Sequence, residues 1–341
     1  MVVLNYNGRG LLDACLGSLA RLTTPAEVVV ADNGSSDGSL AHLREQYPQV
    51  RVIDLERNLE FARGYNAALA QVDSAWVALI NNDTTLEPDW LEQLLNAAAG
   101  RPRAAILGGK LLFQAVGSGG RVLQSAGASF TDAGTGFEIG WGQPDEGQYD
   151  QARPVGAIPG AAMLVRRAVF AELGGFDGGY GAYLEDVDLC WRAWLRGYTV
   201  EYVPGAVAYH QYGASGGGRA SPYRIRLMQR NRLATMVKNL EAGSLPRAVA
   251  VSAAYDGYRV LEYLARGQGQ SVKALTGGTL AFWRALPEIL RARAGVQAGR
   301  ELNDAELRRR GLLAPALTAF REYRRLDRVR IEKAAPARRA A

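Results

Sequence analysis

Four short apolar runs, each closed by a cluster of small polar and acidic residues and each followed by an amphipathic stretch, constrain this chain more than any other feature. The runs occupy residues 2–5, 27–31, 51–55 and 76–80, and the stretches near 10–21, 39–47 and 61–71 repeat their apolar residues at helical spacing. Strands that alternate with helices close into a parallel sheet with helices on its faces, joined by right-handed crossovers. The expectation is therefore an α/β fold with a doubly wound, mostly parallel sheet. From residue 104 to about 141 the pattern changes to β-rich pieces broken by glycines, and residues 160–166 read as a returning strand. Residues 184–195 repeat as a helix stopped by Gly197, with Glu185 and Asp186 at its start, where the helix dipole favours negative charge.

In parallel α/β sheets, ligands gather beyond the carboxyl ends of the strands. Here those ends carry Asn5-Tyr6-Asn7-Gly8, then Asp32 through Gly38, then Asn58 and Arg63, then Asn81-Asn82-Asp83. Each set alone reads equally well as a tight turn or a helix cap. Together they define one crevice fed by four strand ends. The sequence excludes several occupants of such a crevice. Gly8-Arg9-Gly10-Leu11-Leu12-Asp13 lacks the third glycine of a dinucleotide fingerprint, and no P-loop, nucleophile elbow or paired-histidine zinc motif is present. Phosphate would have to be met by a bound cation or by basic side chains.

In order and spacing these motifs resemble glycosyltransferase family 2, and within it the rhamnosyltransferase-like bacterial enzymes of cell-surface polysaccharide assembly. The resemblance runs over residues 2–240. It is carried by the strand-end sets, Gly174-Gly175-Phe176-Asp177, the acidic Glu185-Asp186-Val187-Asp188 and the string from His210 to Ser215. It implies a GT-A fold in which Asp32 bonds the nucleotide base, with Asn5 and Tyr6 lining the base and ribose pocket and Arg63 and Asn82 also facing the donor. A carboxylate suits a pyrimidine imide N–H. Asp83 falls on the last position of the family's Asp-x-Asp element, whose first carboxylate is replaced here by Asn81. Metal binding by Asp83 would then use fewer charges, which Mg²⁺ or Mn²⁺ tolerates because phosphate oxygens and water complete its shell.

By the same resemblance, Asp186 is the general base that takes the acceptor proton while the nucleoside diphosphate leaves from the opposite face. Glu185 and Asp188 are supporting acids, Asp188 in a structural role. His210 is one of two histidines and is expected to ligate metal or diphosphate, whereas His42 reads as a surface residue. Trp191 and Trp194, at three-residue spacing, read as core. The Gln-x-x-Arg-Trp motif of processive synthases is absent, the nearest string being Gln229-Arg230-Asn231-Arg232, so a single-addition enzyme is expected. The donor is expected to be a dTDP- or UDP-sugar, rhamnose leading, and the acceptor a saccharide or lipid-linked saccharide. The alternative is a catalytically silent nucleotide-sugar-binding module or a membrane-associated scaffold, against which stands the retention of both Asp83 and Asp186.

Charge divides the chain. The net +6 conceals −8 over residues 1–221 and +14 over residues 222–341. We expect a catalytic domain over residues 1–218 and a basic, mainly helical region over 219–341. The second region would face something anionic, such as a membrane surface or a lipid diphosphate; nucleic acid is disfavoured because no reading motif accompanies the charge. Its strings at 223–240, 279–293 and 306–330 combine apolar faces with arginine, as interfacial helices do, and a solvated helical cap is the plainer reading. Cys15 and Cys190, the two cysteines, sit far apart in apolar settings and read as inert. No signal peptide pattern or long uncharged apolar window occurs, so the expected place is the cytoplasm, with peripheral attachment to the inner face of the membrane. A strand opening at the first residue suggests a start slightly truncated.

Overall fold

The computed structural model describes residues 1–114, 120–211, 221–315 and 317–318. The first half alternates as the sequence requires: β1 (Val2–Asn5), α1 (Arg9–Leu19), β2 (Val29–Asp32), α2 (Ser39–Gln46), β3 (Arg51–Asp54), α3 (Glu60–Leu69), β4 (Trp76–Asn81), β5 (Thr84–Leu86) and α4 (Trp90–Ala98). A β-rich passage follows, with β6 (Ala104–Phe113), β7 (Leu123–Ser125), β8 (Ala128–Thr131), β9 (Gly136–Glu138), β10 (Arg153–Pro154) and β11 (Ala162–Arg166). Then come α5 (Arg167–Glu172), α6 (Glu185–Leu195) and β12 (Thr199–His210). The remainder holds α7 (Pro222–Asn239), α8 (Leu245–Ala265), α9 (Gly269–Ala298), α10 (Asp304–Arg309) and β13 (Leu313–Ala314).

The main sheet runs β10-β12-β6-β11-β4-β1-β2-β3. Its β4-β1-β2-β3 side is parallel, which suits strands joined by helices, and the other side is mixed because β11 returns antiparallel between β4 and β6. Strand β12 again runs parallel to β6, so β4 and β12 deliver their carboxyl ends to the same edge. Strand alternation divides the core into two layers. In β1, Val2 and Leu4 join one apolar cluster and Val3 the other, and Val77 and Leu79 against Ala78 and Ile80 repeat the division in β4. Helices α1, α2 and α4 cover the face of Val3, and α3 and α6 the face of Val2. Trp191 and Trp194 lie in the second layer with at most 2% exposure, Trp191 stacked on Phe130 and Trp194 Nε1 donating to the Val155 carbonyl.

Beyond residue 221 the chain is mostly helical, but it does not stand apart from the sheet. Strand β13 pairs in parallel with β8 in a small second sheet. Glu301 N–H donates to the Leu195 carbonyl at the end of α6, and Arg293 to the Val237 and Leu240 carbonyls that end α7. The change in charge near residue 218 is thus not accompanied by a break in packing. Among the described residues, no helix is long and apolar enough to cross a membrane. The glycine-rich residues 213–218 and most of the expected 306–330 helix lie outside the described residues; α10 covers the start of the latter.

Candidate active site

The edge where β1, β2 and β4 end is tied together by side chains. Asn5 Nδ2 donates to Asp32 Oδ2 at 2.9 Å, and Asn82 Nδ2 donates to Asn5 Oδ1 at 2.8 Å. One buried chain of polar groups therefore joins three strand ends. The other Asp32 oxygen accepts the Ser35 N–H at 2.8 Å, so the β2–α2 loop wraps onto its own strand. Asn33 extends the set to the next strand, accepting from Leu59 N–H at 2.8 Å and donating to Asn58 Oδ1 at 3.2 Å. Two glycines permit this closeness. A Cβ at Gly8 would fall 2.0 Å from Asn82 Nδ2, and Gly34, with φ +76°, would drive one into the Arg57 backbone.

The remaining donor-side candidates differ in setting. Tyr6 is half-exposed and precedes Asn7, whose left-handed φ of 48° turns the chain out of β1. Asn7 Oδ1 accepts the Ser36 N–H at 2.7 Å, stitching the two loops that flank the crevice. Arg63 is exposed on the first turn of α3 and makes no ion pair among the described residues, which leaves its guanidinium available for an anion.

Asp83 and His210 are brought together. His210 ends β12, where it pairs with Thr84 of β5, and its Nε2 lies 3.1 Å from Asp83 Oδ1. Both side chains are buried, and that Asp83 oxygen accepts no hydrogen bond of good geometry. The Gln124 carboxamide holds the far side of the ring, with Nε2 and Oε1 at 2.9 and 3.2 Å from His210 Nδ1. When Nδ1 donates to Oε1, Nε2 presents its lone pair toward Asp83, which is how a second-shell amide sets a ligating imidazole. A buried carboxylate oxygen lacking a donor, facing an imidazole nitrogen at this distance, fits a hard or borderline divalent cation. The described residues contain no cluster of three or more acids, histidines and cysteines, so the rest of its shell would come from diphosphate and water.

The acidic helix start lies on the same edge. Two consecutive non-glycine residues, Tyr183 and Leu184, adopt left-handed φ of 71° and 69°, and turn the chain sharply into α6. Such residues cost about 1–3 kcal/mol each and persist only when their surroundings fix them. Asn231 of α7 does so: its buried Nδ2 donates to the carbonyls of Tyr180, Ala182 and Tyr183 at 2.9, 2.9 and 2.8 Å. Asp186, at N2 of α6, accepts the Gly160 N–H at 2.9 Å on one oxygen and the Val187 N–H at 2.7 Å on the other. Burial raises its pKa despite these donors. Glu185 is buried with one oxygen unpartnered, and burial, then the Asp186 charge, pushes its carboxyl well up. The Tyr65 hydroxyl, buried beneath this edge, donates to the Ile80 carbonyl at 2.9 Å, and burial pushes its pKa up.

Asp188 stands in another environment. It is fully buried, receiving Arg192 Nε at 2.8 Å, Lys238 Nζ at 2.9 Å and Asn239 Nδ2 at 2.9 Å. Burial alone would raise its pKa, but Lys238 and Arg192 outweigh it and hold the carboxyl down at about 2. Its partners tie α6 to α7. His42 bonds Asp13 on the surface, and both cysteines are buried and unpaired, with burial pushing the Cys15 thiol up to about 12. Sequence reasoning missed Gln124, Asn231 and Lys238; their roles depend on partners 48 or more positions away for Asn231 and 86 for Gln124, a relation no local pattern carries.

A polar edge at the carboxyl ends of the parallel strands, a mixed second half and an acidic helix start fit the GT-A fold of glycosyltransferases. Solved structures agree on the fold: S. aureus TarS 1-349 in complex with UDP-GlcNAc superposes with a TM-score of 0.54 at 20% identity, covering 87% of this chain and 88% of that one. The mannosyltransferase PcManGT from Pyrobaculum calidifontis, in complex with GDP-Man and Mn²⁺, gives 0.51 at 18% identity over 87% and 84%. The chain belongs to glycosyl transferase family 2, whose model matches residues 1–174. It is 34% identical over 240 residues to the N-acetylglucosaminyl-diphospho-decaprenol L-rhamnosyltransferase of Mycobacterium tuberculosis (strain H37Rv), a match covering 64% of this chain and 77% of the relative.

Proposed function

We propose that the protein is an inverting, metal-dependent, non-processive glycosyltransferase that moves a sugar from a dTDP- or UDP-linked donor to a hydroxyl of a saccharide or lipid-linked saccharide. Rhamnose is the favoured sugar and a polyprenyl diphosphate saccharide the favoured acceptor, both suggested by the mycobacterial relative. The enzyme would work at the inner face of the cell membrane. The observation that carries the reading is Asp186, a carboxylate of raised pKa fixed at a helix start by two backbone N–H groups.

A carboxylate of raised pKa accepts a hydroxyl proton more readily than an ordinary one. The bonds from Gly160 and Val187 hold its oxygens in place, so little reorientation is needed when the acceptor arrives. Asp32 and Asn5 would order the nucleotide base, Tyr6 its ribose, and Asn82 and Arg63 the donor's polar face. A divalent cation held by Asp83 and His210 would supply positive charge for the leaving diphosphate. Glu185 and Asp188 would support the helix start, and residues 1–218 and 219–341 would divide catalysis from membrane or acceptor contact.

The test is calorimetry with dTDP-, UDP- and GDP-sugars, with and without Mn²⁺, followed by transfer to a synthetic N-acetylglucosaminyl-diphospho-polyprenol. Metal-dependent binding of one donor class and transfer with inverted configuration are expected. Binding without transfer would favour the silent nucleotide-sugar-binding module, and absence of binding across the panel the membrane-associated scaffold.

A further inference from the structure

Helix α8 carries an apolar stripe on its outward face. Its residues 250, 254, 257, 261 and 264 follow one another at intervals of four and three, so they share one stripe along the helix. That stripe is Ala250, Ala254, Gly257, Leu261 and Leu264, all exposed, with Leu261 at 69% and Leu264 at 58%. The opposite stripe, at residues 252, 256 and 259, is polar and turned toward the protein. Ser252 accepts from Arg232 Nη1, and Asp256 takes Arg232 Nη2 at 2.7 and 2.8 Å and Gln229 Nε2 at 2.7 Å. Arg259 reaches the Tyr263 hydroxyl at 2.9 Å. An amphipathic helix in water places its apolar stripe on the core. Helix α8 puts Ala248, Val260 and Tyr263 against the interior, but the Arg232–Asp256 ion pair lies beside them and two leucines are left outside.

We propose that the outward stripe of α8 seats the enzyme on an anionic membrane. The inference rests on the membrane-proximal acceptor proposed above and adds the surface that makes the contact. Charge decides among occupants. Across α8, α9 and the turn between them, the exposed charged side chains are Arg247, Arg266, Lys273, Arg284 and Arg291, with Glu288 the one acid. Anionic headgroups complement that set, each basic group near such a surface adding to attraction while leucines enter the acyl boundary. Trp283 of α9 is also exposed, at 61%, a residue type common at membrane boundaries. A second copy of the chain fits less well. Face-to-face pairing would bury the leucines but bring together two surfaces whose exposed bases outnumber their acids, even with Arg266 paired to Glu262.

The experiment is co-sedimentation of the full chain with vesicles of phosphatidylglycerol and phosphatidylcholine, and with phosphatidylcholine alone, alongside Leu261→Gln/Leu264→Gln. Both leucines are surface residues, so the variant is expected to keep its melting temperature and its donor calorimetry. Expected are binding only to the anionic vesicles, weakened by high salt, and a fall of about tenfold or more in partitioning for the double variant. Equal partitioning of the two proteins overturns the inference, as does failure of the parent chain to bind. Sedimentation velocity on the same samples supplies the remaining outcome: a parent dimer that becomes monomeric in the variant assigns the stripe to a second copy instead. Failure of donor binding in the parent chain would overturn the glycosyl-transfer reading without altering the vesicle comparison.

Discussion

Asp83 Oδ1 and His210 Nε2 face each other across 3.1 Å, although 127 positions separate them in the sequence. On the proposed reading, this carboxylate and imidazole, with Gln124 behind the ring, would hold the divalent cation. Asp83→Ala is expected to abolish Mn²⁺-dependent donor binding, and Gln124→Leu to lower apparent metal affinity by about 10–100-fold. Donor calorimetry at graded Mn²⁺ measures both. Identical metal dependence in parent and Asp83→Ala would remove the assignment.

Asp186→Asn keeps the size of the side chain and loses the base. Transfer should fall by at least about 10²-fold while the donor dissociation constant stays unchanged. Because burial raises the pKa of Asp186, the acidic limb of kcat/KM in the parent enzyme should lie above the ordinary aspartate value of about 3.9, with rate rising through it as pH rises. A flat profile from pH 4 upward, or wild-type rates in the variant, would transfer the proton to another group.

Asp188 makes a stability prediction of opposite sign. Its pKa is held at about 2 in the fold against about 3.9 in the unfolded chain, so its ionised form favours folding. That contribution is present above about pH 4 and is lost as pH falls toward 2. It amounts to about 2 kcal/mol. Lys238→Met leaves a buried carboxylate short of a partner and should cost about 3–5 kcal/mol at pH 7, with a smaller loss near pH 3. Urea unfolding at the two pH values provides the comparison, and equal losses would show that Lys238 acts by packing alone.

Asn231→Ala should destabilise the turn that precedes Glu185. The two N–H bonds shared among three carbonyls are lost, and leaving such groups unsatisfied costs about 1–3 kcal/mol. Hydrogen exchange of a peptide spanning residues 180–190 should speed up more than that of β1 and β4. Uniform loss of protection would make Asn231 a general packing residue.

The parallel half of the sheet was legible because short continuous apolar runs and polar strand ends are local properties. Residues 2–5 form β1 as expected, while the second strand is displaced to Val29–Asp32 and so includes Asp32 itself. Helix α6 starts at Glu185, and Gly197 follows with φ +73°, as the stop signal required. Less was legible after residue 218. Composition read that region as helical and basic, yet it contributes β13 to a sheet, and its Lys238 and Asn231 are folded against α6 and the turn before it. Hydropathy also hid α8, because an apolar stripe has the same periodicity whichever way it faces.

The pairing of β13 with β8 has a consequence for how the enzyme is made. Phe130 N–H bonds the Leu312 carbonyl and Asp132 N–H the Ala314 carbonyl, so residues made early wait for partners made about 180 positions later. On the ribosome, the nucleotide crevice can close from β1 to β4 while the turn before α6 still lacks Asn231 and β8 still lacks its neighbour. The turn that starts α6 and the neighbour of β8 are therefore among the last parts of the fold to be completed.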